Sequence, residues 1–299
     1  MTILPQEFKE RIIEAIRANR EQYSTNKAHA LYIGIDPAQY SRISKGETEG
    51  VLSDKNWNEI ATLFNVPFNP NSYEWQIANT LAYQKITKQL KTCQNLSISG
   101  IFCDISDIGK TFTAKDYVKR ERNAVLIDCS RNKSRTELLR AISRSFGIDS
   151  NSQVKILQQD LIQYMRSMTK PLVILDEFGD LSYPAFLEIK ALWNATEYKC
   201  GWYMMGADGL QVKLDRQKEL KKVGYAEIFS RLGSRYQRVT PIDEFERQKF
   251  LMYEIDQIVK ANDSNTTALQ MYAKTNGSLR RVYIEITKEK SGLLEDINA

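Results

Sequence analysis

The sequence predicts an α/β fold, a parallel sheet with helices on both faces, preceded by a small all-helical domain. Two apolar runs, 96–103 and 172–175, end in polar residues that suit phosphate chemistry, 104–111 and 176–177. Around these runs, helical and strand-like patterns alternate, which is typical of a parallel sheet. The start of the chain instead shows only the helical spacing of apolar side chains.

Length, charge and residue usage narrow the class of protein. At 299 residues the chain has room for two domains, and a net charge of +5 permits a nucleic-acid partner without requiring one. The single histidine, His29, excludes a site built around several imidazoles. The four cysteines form no C-x-x-C pair, no apolar run is as long as a membrane span, and no signal-peptide pattern is present. These features predict a cytoplasmic protein without a membrane partner.

Residues 1–66 read as a helix-turn-helix domain. A first helix should end near Asn19, and a tighter pattern follows, with the small residue Ala30 and a turn at Gly34. In a helix-turn-helix unit the small residue lets two helices approach, and the glycine takes the turn between them. Asp36 is suited to capping the second helix of the pair.

The outward face of that second helix offers side chains for DNA. Gln39 and Arg42 can pair with base edges, and Ser41 and Lys45 can hold phosphates. The domain resembles the small helical DNA-binding domains of the lambda-repressor and Cro type, which implies double-stranded DNA as a partner. The alternative is a helical bundle that binds a partner protein.

Prolines and asparagines interrupt the helical pattern at 67–74 and predict a linker. An α/β core then spans 75–240. The predicted elements of the core are a helix from about Tyr73 to Lys91, strands at 96–103, 123–129, 172–175 and 201–206, and helices at 135–146, 153–168 and 183–198. In such a sheet, ligands bind at the carboxyl ends of the strands.

The stretch 104–111 predicts a phosphate-binding loop between a strand and a helix. Its end, Gly109-Lys110-Thr111, can aim backbone N–H groups, an amine and a hydroxyl at a phosphate chain. The loop departs from the pattern G-x-x-x-x-G-K-[ST], because Asp104 replaces its first glycine and Asp107 replaces another that many ATPases carry. Aspartate tolerates left-handed backbone angles, but its carboxylate is expected to repel a triphosphate. The candidate nucleotide-binding residues are Asp104, Ile105, Ser106, Asp107, Ile108, Gly109, Lys110 and Thr111.

The second apolar run ends in a pair of carboxylates. Asp176 is placed to hold magnesium together with Thr111, and Glu177 to orient a water. The two stretches together predict a nucleoside triphosphatase. Taken singly, they could be a Lys-Thr helix start behind a polar turn and an ordinary strand end.

Later features resemble the order found in AAA+ ATPases. Asp208 follows the strand at 201–206, where these proteins place a polar residue beside the attacking water. Arg231 and Arg235 precede a short predicted strand, Tyr236 to Val239. In AAA+ ATPases an arginine at a similar place reaches the nucleotide of a neighbouring subunit. Taken alone, each arginine could be a solvated charge.

Arg280 opens a helix near the C-terminus, as the second sensor of AAA+ ATPases does, and the resemblance implies a C-terminal helical lid at 241–299. The domain order resembles the MuB-like transposition ATPases, which assemble on target DNA and recruit or stimulate a transposase. This resemblance implies ATP and Mg²⁺ as cofactors, a transposase as partner, and self-association into an ATP-dependent oligomer or helical filament. The catalytic residues implied are Glu177, Asp208, Arg231, Arg235 and Arg280.

The basic loop at 130–135 is a second candidate for DNA contact. Arg131 and Lys133 suit phosphates, so binding there would not depend on sequence. The loop reads equally well as a helix N-terminus with solvated charges.

Two other functions fit the same features. A replication initiator or helicase loader shares the AAA+ arrangement. A nucleotide-responsive transcription regulator would use the helix-turn-helix as its active part and the nucleotide domain as a sensor. A sequence-specific footprint favours the regulator, whereas ATP-dependent coating of any duplex favours transposition.

Overall fold

The computed structural model describes residues 4–68 and 73–291 of the chain. Part of the predicted linker, 69–72, the end of the predicted lid, 292–299, and residues 1–3 lie outside that description. The described part of the chain holds an N-terminal helical unit, an α/β core and a C-terminal helical lid.

The N-terminal unit packs four helices around one apolar core. They are α1 (Gln6–Asn19), α2 (Asn26–Ile33), α3 (Pro37–Ser44) and α4 (Asp54–Phe64). Ile12 and Ile16 recur on one face of α1 and pack with Ile43 and Trp57 of the later helices. Gly34 ends α2 in the left-handed conformation, with φ at 84°, which a side chain rarely adopts.

The single histidine belongs to this core. His29 is fully buried in α2, with Nδ1 2.8 Å from the Tyr40 hydroxyl and Nε2 3.1 Å from the Asn19 side-chain oxygen. Burial lowers the pKa of His29 to about 4. The imidazole therefore stays neutral near pH 7, and its role in the unit is packing and hydrogen bonding.

The α/β core confirms the predicted fold class. Its elements are α5 (Leu81–Leu96), β1 (Ser99–Cys103), α6 (Lys110–Arg120), β2 (Ala124–Asp128), α7 (Arg135–Ser145), α8 (Val154–Ser167), β3 (Leu172–Asp176), α9 (Tyr183–Ala195), β4 (Gly201–Gly206), α10 (Asp208–Glu219) and α11 (Tyr225–Arg231). The four strands are all parallel, in the order β1-β4-β3-β2.

Both faces of the sheet are covered, since successive side chains along a strand point to opposite sides. Val173 and Trp202 pack into the cluster that α7 to α11 cover. Ile174 and Tyr203 pack into the cluster that α5 and α6 cover. Burial on both faces explains why the strands read as nearly continuous apolar runs.

The predicted helix from Tyr73 to Lys91 is wrong in its first part. Residues 73–80 are not helical, and α5 starts only after Thr80, whose side chain accepts a hydrogen bond from the Tyr83 amide. The amide of Gln76 donates to the Asn262 side chain at 2.9 Å, and that side chain donates back to the Gln76 carbonyl at 3.0 Å. Tertiary hydrogen bonds therefore hold this segment extended against the C-terminal helices.

The predicted strand Tyr236 to Val239 is reduced to a single bridge. Gln237 pairs with the free edge of β1, donating to the Ile101 carbonyl and accepting from the Cys103 amide, both at 2.9 Å. The amides of Val239 and Thr240 donate instead to the Asp104 carboxylate of the phosphate loop. The segment therefore leaves the sheet edge after one pair.

The lid consists of α12 (Glu244–Ala261), α13 (Ala268–Thr275) and α14 (Leu279–Lys290). Ile255 and Ile286 are fully buried between these helices, and Ala78 of the extended segment packs against them. Glu254 of α12 is also fully buried and accepts hydrogen bonds from the first amides of α5, Leu81 and Ala82. The lid is thereby fixed to the start of α5.

All four cysteines are buried free thiols. Burial raises the pKa of the Cys93 thiol to about 12, so the thiolate, the reactive form, is rare at neutral pH. Among the described residues, no helix is both long and apolar enough to cross a membrane.

The N-terminal unit packs directly on the core, where α2 contacts α7. Gly147 follows α7 with φ at 73°, and a Cβ atom added there would lie 2.5 Å from the Ala28 carbonyl oxygen. Arg122, between α6 and β2, also pairs with Glu21 of the N-terminal unit at 2.9 Å. A glycine that permits close backbone approach therefore sets how α2 seats on the core.

Replacing Gly147 by alanine is expected to loosen this contact. The left-handed backbone alone costs a side chain about 1–2 kcal/mol, and the clash with Ala28 adds to it. We expect Gly147→Ala to lower the melting temperature and to speed hydrogen exchange in α2.

Gly233→Ala is the matched control. Gly233 also has a positive φ, 79°, but a Cβ atom there meets nothing within 4 Å. The control should carry the backbone cost without faster exchange in α2. Equal exchange in α2 for the two variants would contradict the importance of the close approach.

Candidate functional site

The phosphate loop lies between β1 and α6 and holds its lysine inward. Gly109 precedes α6 in the left-handed conformation, with φ at 89°. The Lys110 amine donates to the carbonyl oxygens of Asp104 at 2.9 Å and Ile105 at 2.6 Å, closing the loop around it. Burial lowers the pKa of Lys110, and the nearby Asp104 carboxylate partly opposes the shift. The loop presents this cation and the first amides of α6 to an anion.

The predicted metal-binding pair meets across the site. The Thr111 hydroxyl of α6 donates to an Asp176 carboxylate oxygen at the end of β3, at 2.6 Å. Asp176 is buried, which raises its pKa, while the hydrogen bond from Thr111 opposes the shift. A hydroxyl and a carboxylate are oxygen ligands of the kind Mg²⁺ takes.

Within 4–68 and 73–291, no cluster of three or more His, Cys, Asp or Glu side chains could hold a metal ion. Magnesium usually binds through one or two protein ligands together with waters and substrate phosphates. The Thr111–Asp176 pair fits that kind of site, in which the nucleotide supplies the remaining ligands.

Glu177 follows Asp176 with a left-handed backbone, φ 49°. Such a conformation is strained for a non-glycine residue and is common at functional sites. More than a third of its surface stays exposed, yet partial desolvation and the charge of Asp176 raise the pKa of its carboxyl. Glu177 also lines the cavity beside the loop, so it can orient a water there.

The cavity beside the loop has a volume of about 630 Å³. Residues 106–113 line one end, and Trp75, Ala78, Ile258 and Tyr283 line the other. The rings of Trp75 and Tyr283 lie 4.8 Å apart at an interplanar angle of 59°. One end therefore suits phosphates, and the aromatic end suits the flat face of a base.

Asp104 does not face this cavity, which corrects the expected repulsion from a triphosphate. It is fully buried, and one carboxylate oxygen accepts from the amides of Val239 at 2.6 Å and Thr240 at 2.9 Å. Its other oxygen accepts from the Ile105 amide and lies 3.6 Å from Arg238. The side chain fixes the segment after β1 to the segment before the lid.

The remaining loop residues divide between cavity and core. Ser106, Asp107 and Ile108 all line the cavity. Ile108 is also buried in the cluster beneath α6, and this packing anchors the loop. Arg280 lines the cavity from α14, and its Nε lies 3.1 Å from an Asp107 carboxylate oxygen.

The other proposed catalytic residues lie outside the lining of this cavity. Asp208 is exposed at the first position of α10, directly after β4. Arg231 lies over the Trp193 ring, 4.6 Å from its centroid, and donates to Asn194. Arg235 is exposed, and within the described part of the chain no carboxylate forms an ion pair with it.

Internal partners engage most of the proposed DNA contacts. Gln39 caps α3 through the Asp36 amide and donates to the Val51 carbonyl, and Arg42 pairs with Glu47 at 2.7 Å. Ser41 is exposed on the same helix, and Lys45 is exposed directly after its last residue.

In the basic loop, the two proposed contacts also have carboxylate partners. Arg131 pairs with Asp128 at 3.3 Å, and Lys133 pairs with Asp180 at 3.3 Å. Both arginine and lysine remain largely exposed, so these pairs are weak and can exchange for phosphate.

Sequence reasoning missed the aromatic end of the cavity. Trp75 falls in a segment predicted as helix, and Tyr283 lies in a lid helix without a recognisable motif. Ser278 was also not singled out from the sequence, although it caps α14 and its hydroxyl donates to Asp107 of the phosphate loop. The available signal was a serine before a helical pattern, which indicates an N-cap but does not reveal a distant partner.

A comparison with protein-family models matches residues 99–214 to the AAA domain family. The match runs from the start of β1 into the first part of α10 and includes the phosphate loop and the Asp176-Glu177 pair. Residues 99–214 therefore form an AAA domain of the P-loop ATPase type. A search of curated proteins finds no match to the chain.

Restoring the first glycine of the loop is expected to harm the protein. Asp104→Gly leaves three amides and Arg238 without their buried acceptor, and a lost charge-assisted hydrogen bond costs about 1.5–3 kcal/mol. We expect the free energy of unfolding, measured by urea denaturation, to fall by at least that amount.

Asp104→Asn, which keeps one acceptor oxygen, should fall between the wild type and Asp104→Gly. A glycine variant as stable as the wild type would contradict a structural role for this carboxylate.

Proposed function

We propose that the chain is an ATP-dependent DNA-binding protein of transposition, which binds and slowly hydrolyses ATP with Mg²⁺. The observation that carries the nucleotide part is the convergence of Lys110 and the Thr111–Asp176 pair at one end of a cavity whose other end is aromatic. The AAA domain at 99–214 supports the same chemistry.

Each residue of the site has a distinct role in this proposal. The Lys110 amine exchanges its two carbonyl partners for phosphate oxygens, and the Thr111 hydroxyl and Asp176 hold Mg²⁺. A Mg²⁺ ion held by these residues would neutralise charge on the phosphates. Glu177 orients the attacking water, and Trp75 and Tyr283 receive the base.

Lys110→Ala is expected to abolish ATP binding, because it removes the buried cation that the loop closes around. Glu177→Gln should keep binding and slow hydrolysis, since it loses only the carboxylate that orients water. Calorimetry with Mg-ATP and single-turnover hydrolysis measure the two effects.

Lys119→Ala is the matched control, because Lys119 is an exposed lysine of the same helix that does not line the cavity. It should bind ATP like the wild type. Equal affinity of wild type and Lys110→Ala would refute the site.

The transposition part of the proposal rests on domain order and on the surface of α3. Ser41 and Lys45 are exposed there, and Gln39 and Arg42 can exchange their internal partners for DNA. Packing of α2 on α7 sets this unit on the ATPase core, so nucleotide-dependent assembly of the core would align many weak DNA contacts.

Arg235 is the stronger candidate for completing a neighbour's site, because Arg231 already has Trp193 and Asn194 as partners. With a non-hydrolysable ATP analogue, we expect cooperative assembly on mixed-sequence duplex DNA. Arg235→Ala should abolish cooperativity and Arg231→Ala should not, as measured by fluorescence anisotropy and electron microscopy.

Lys45→Ala and Lys55→Ala, two exposed lysines of the N-terminal unit, test the DNA surface in the same assay. Only Lys45→Ala should flatten the salt dependence, by about one unit of slope. A sequence-specific footprint by a fixed dimer would instead favour the transcription regulator. Isolated monomers on DNA would refute the assembly.

A further inference from the structure

The second aspartate of the phosphate loop connects that loop to the lid. Asp107 adopts a left-handed backbone, φ 63°, where related loops carry glycine. One of its carboxylate oxygens lies 3.1 Å from Arg280 Nε, and the other accepts from the Ser278 hydroxyl at 2.9 Å. The Asp107 carbonyl also accepts from the Leu279 amide at 3.0 Å. Three contacts thus join the loop to the first residues of α14.

These contacts form inside the candidate nucleotide cavity. Asp107, Leu279 and Arg280 all belong to its lining. The Arg280 side chain is 75% exposed, and Asp107 is its only ion-pair partner in the described part of the chain. The guanidinium is therefore held by one carboxylate at the edge of the space that phosphates would enter.

We infer that Asp107 competes with the nucleotide for Arg280. In the nucleotide-free chain the carboxylate holds the guanidinium and the start of α14. A bound triphosphate offers Arg280 several charged oxygens in place of one carboxylate, so Arg280 transfers to the phosphates and the lid changes partner. Asp107 is thus a positioning residue, and this inference rests on the nucleotide binding proposed above.

The competition makes the lid selective for the length of the phosphate chain. A diphosphate carries less charge and ends nearer the loop, so it replaces the Asp107 carboxylate less well. Arg280 then stays with Asp107 after hydrolysis. The aspartate that breaks the glycine pattern therefore gives a lid that distinguishes triphosphate from diphosphate.

A simple staple between loop and lid would behave differently. If Asp107 only stabilised the closed lid, removing its charge would weaken both nucleotides alike. If Asp107 competes with the nucleotide, removing its charge should instead strengthen triphosphate binding, because Arg280 is then free to bind the phosphates.

The test uses the full chain and calorimetry with Mg²⁺ and either the imido analogue of ATP or ADP. Asp107→Asn keeps tolerance of the left-handed backbone and removes the charge. We expect it to bind the ATP analogue about fivefold more tightly, the scale of one exposed ion pair, and ADP unchanged within about twofold. Asp107→Gly should likewise bind the ATP analogue more tightly and leave ADP binding nearly unchanged. High salt should reduce the difference between the wild type and either variant.

The same substitution in an Arg280→Ala background should lose its effect on the ATP analogue, since the competing partner is gone. Equal changes for both nucleotides, a weaker ATP analogue, or an undiminished effect without Arg280 would each overturn the inference.

A further measurement needs no nucleotide. In the free chain, Asp107→Gly should speed hydrogen exchange of the Leu279 amide, because the lid start loses its side-chain anchors. Unchanged exchange of this amide would show that the Asp107 side chain does not hold the start of α14, and would overturn the inference. If the wild type shows no nucleotide binding that depends on Lys110, the proposed function itself is refuted. If such binding is present but Asp107→Asn changes the affinities for the ATP analogue and for ADP equally, only this inference is refuted.

Discussion

A buried carboxylate at the end of β1 is the interaction on which the site depends. Asp104 accepts from the amides of Val239 and Thr240, and its own carbonyl holds the Lys110 amine. A buried carboxylate without partners is costly, so these amides must stay in place for the loop to be stable. The sheet edge, the phosphate loop and the segment leading to the lid are therefore fixed relative to one another through one side chain.

The cavity is assembled from parts that are far apart in the chain. Glu254 of the lid accepts from the first amides of α5, and Asn262 holds Gln76 in the extended segment. These polar contacts hold the segment that carries Trp75 against the lid, where its ring packs on Tyr283 of α14. Because the Glu254 carboxylate is fully buried, its hydrogen bonds to the amides of α5 offset the cost of burying it.

The sequence predicted the elements that depend on local patterns of apolar and polar residues. It missed the features that depend on partners distant in sequence. The strand at 201–206 was predicted with the bounds the structure gives it, because buried parallel strands are short apolar runs. The helix over 73–80 was wrong, since Asn262 binds that segment from 186 residues away. The two aspartates of the loop were expected to act on the phosphates, but Asp104 binds the segment before the lid. No local pattern indicates such a partner.

The N-terminal unit packs on the α/β core and precedes the segment that lines the candidate nucleotide cavity. The unit seats on α7 through α2, and Arg11 of α1 donates to the carbonyls of Pro67 and Phe68, which lead toward the extended segment. That segment carries Trp75 into the cavity wall. A ligand in the cavity would therefore contact both this segment and Tyr283 of the lid.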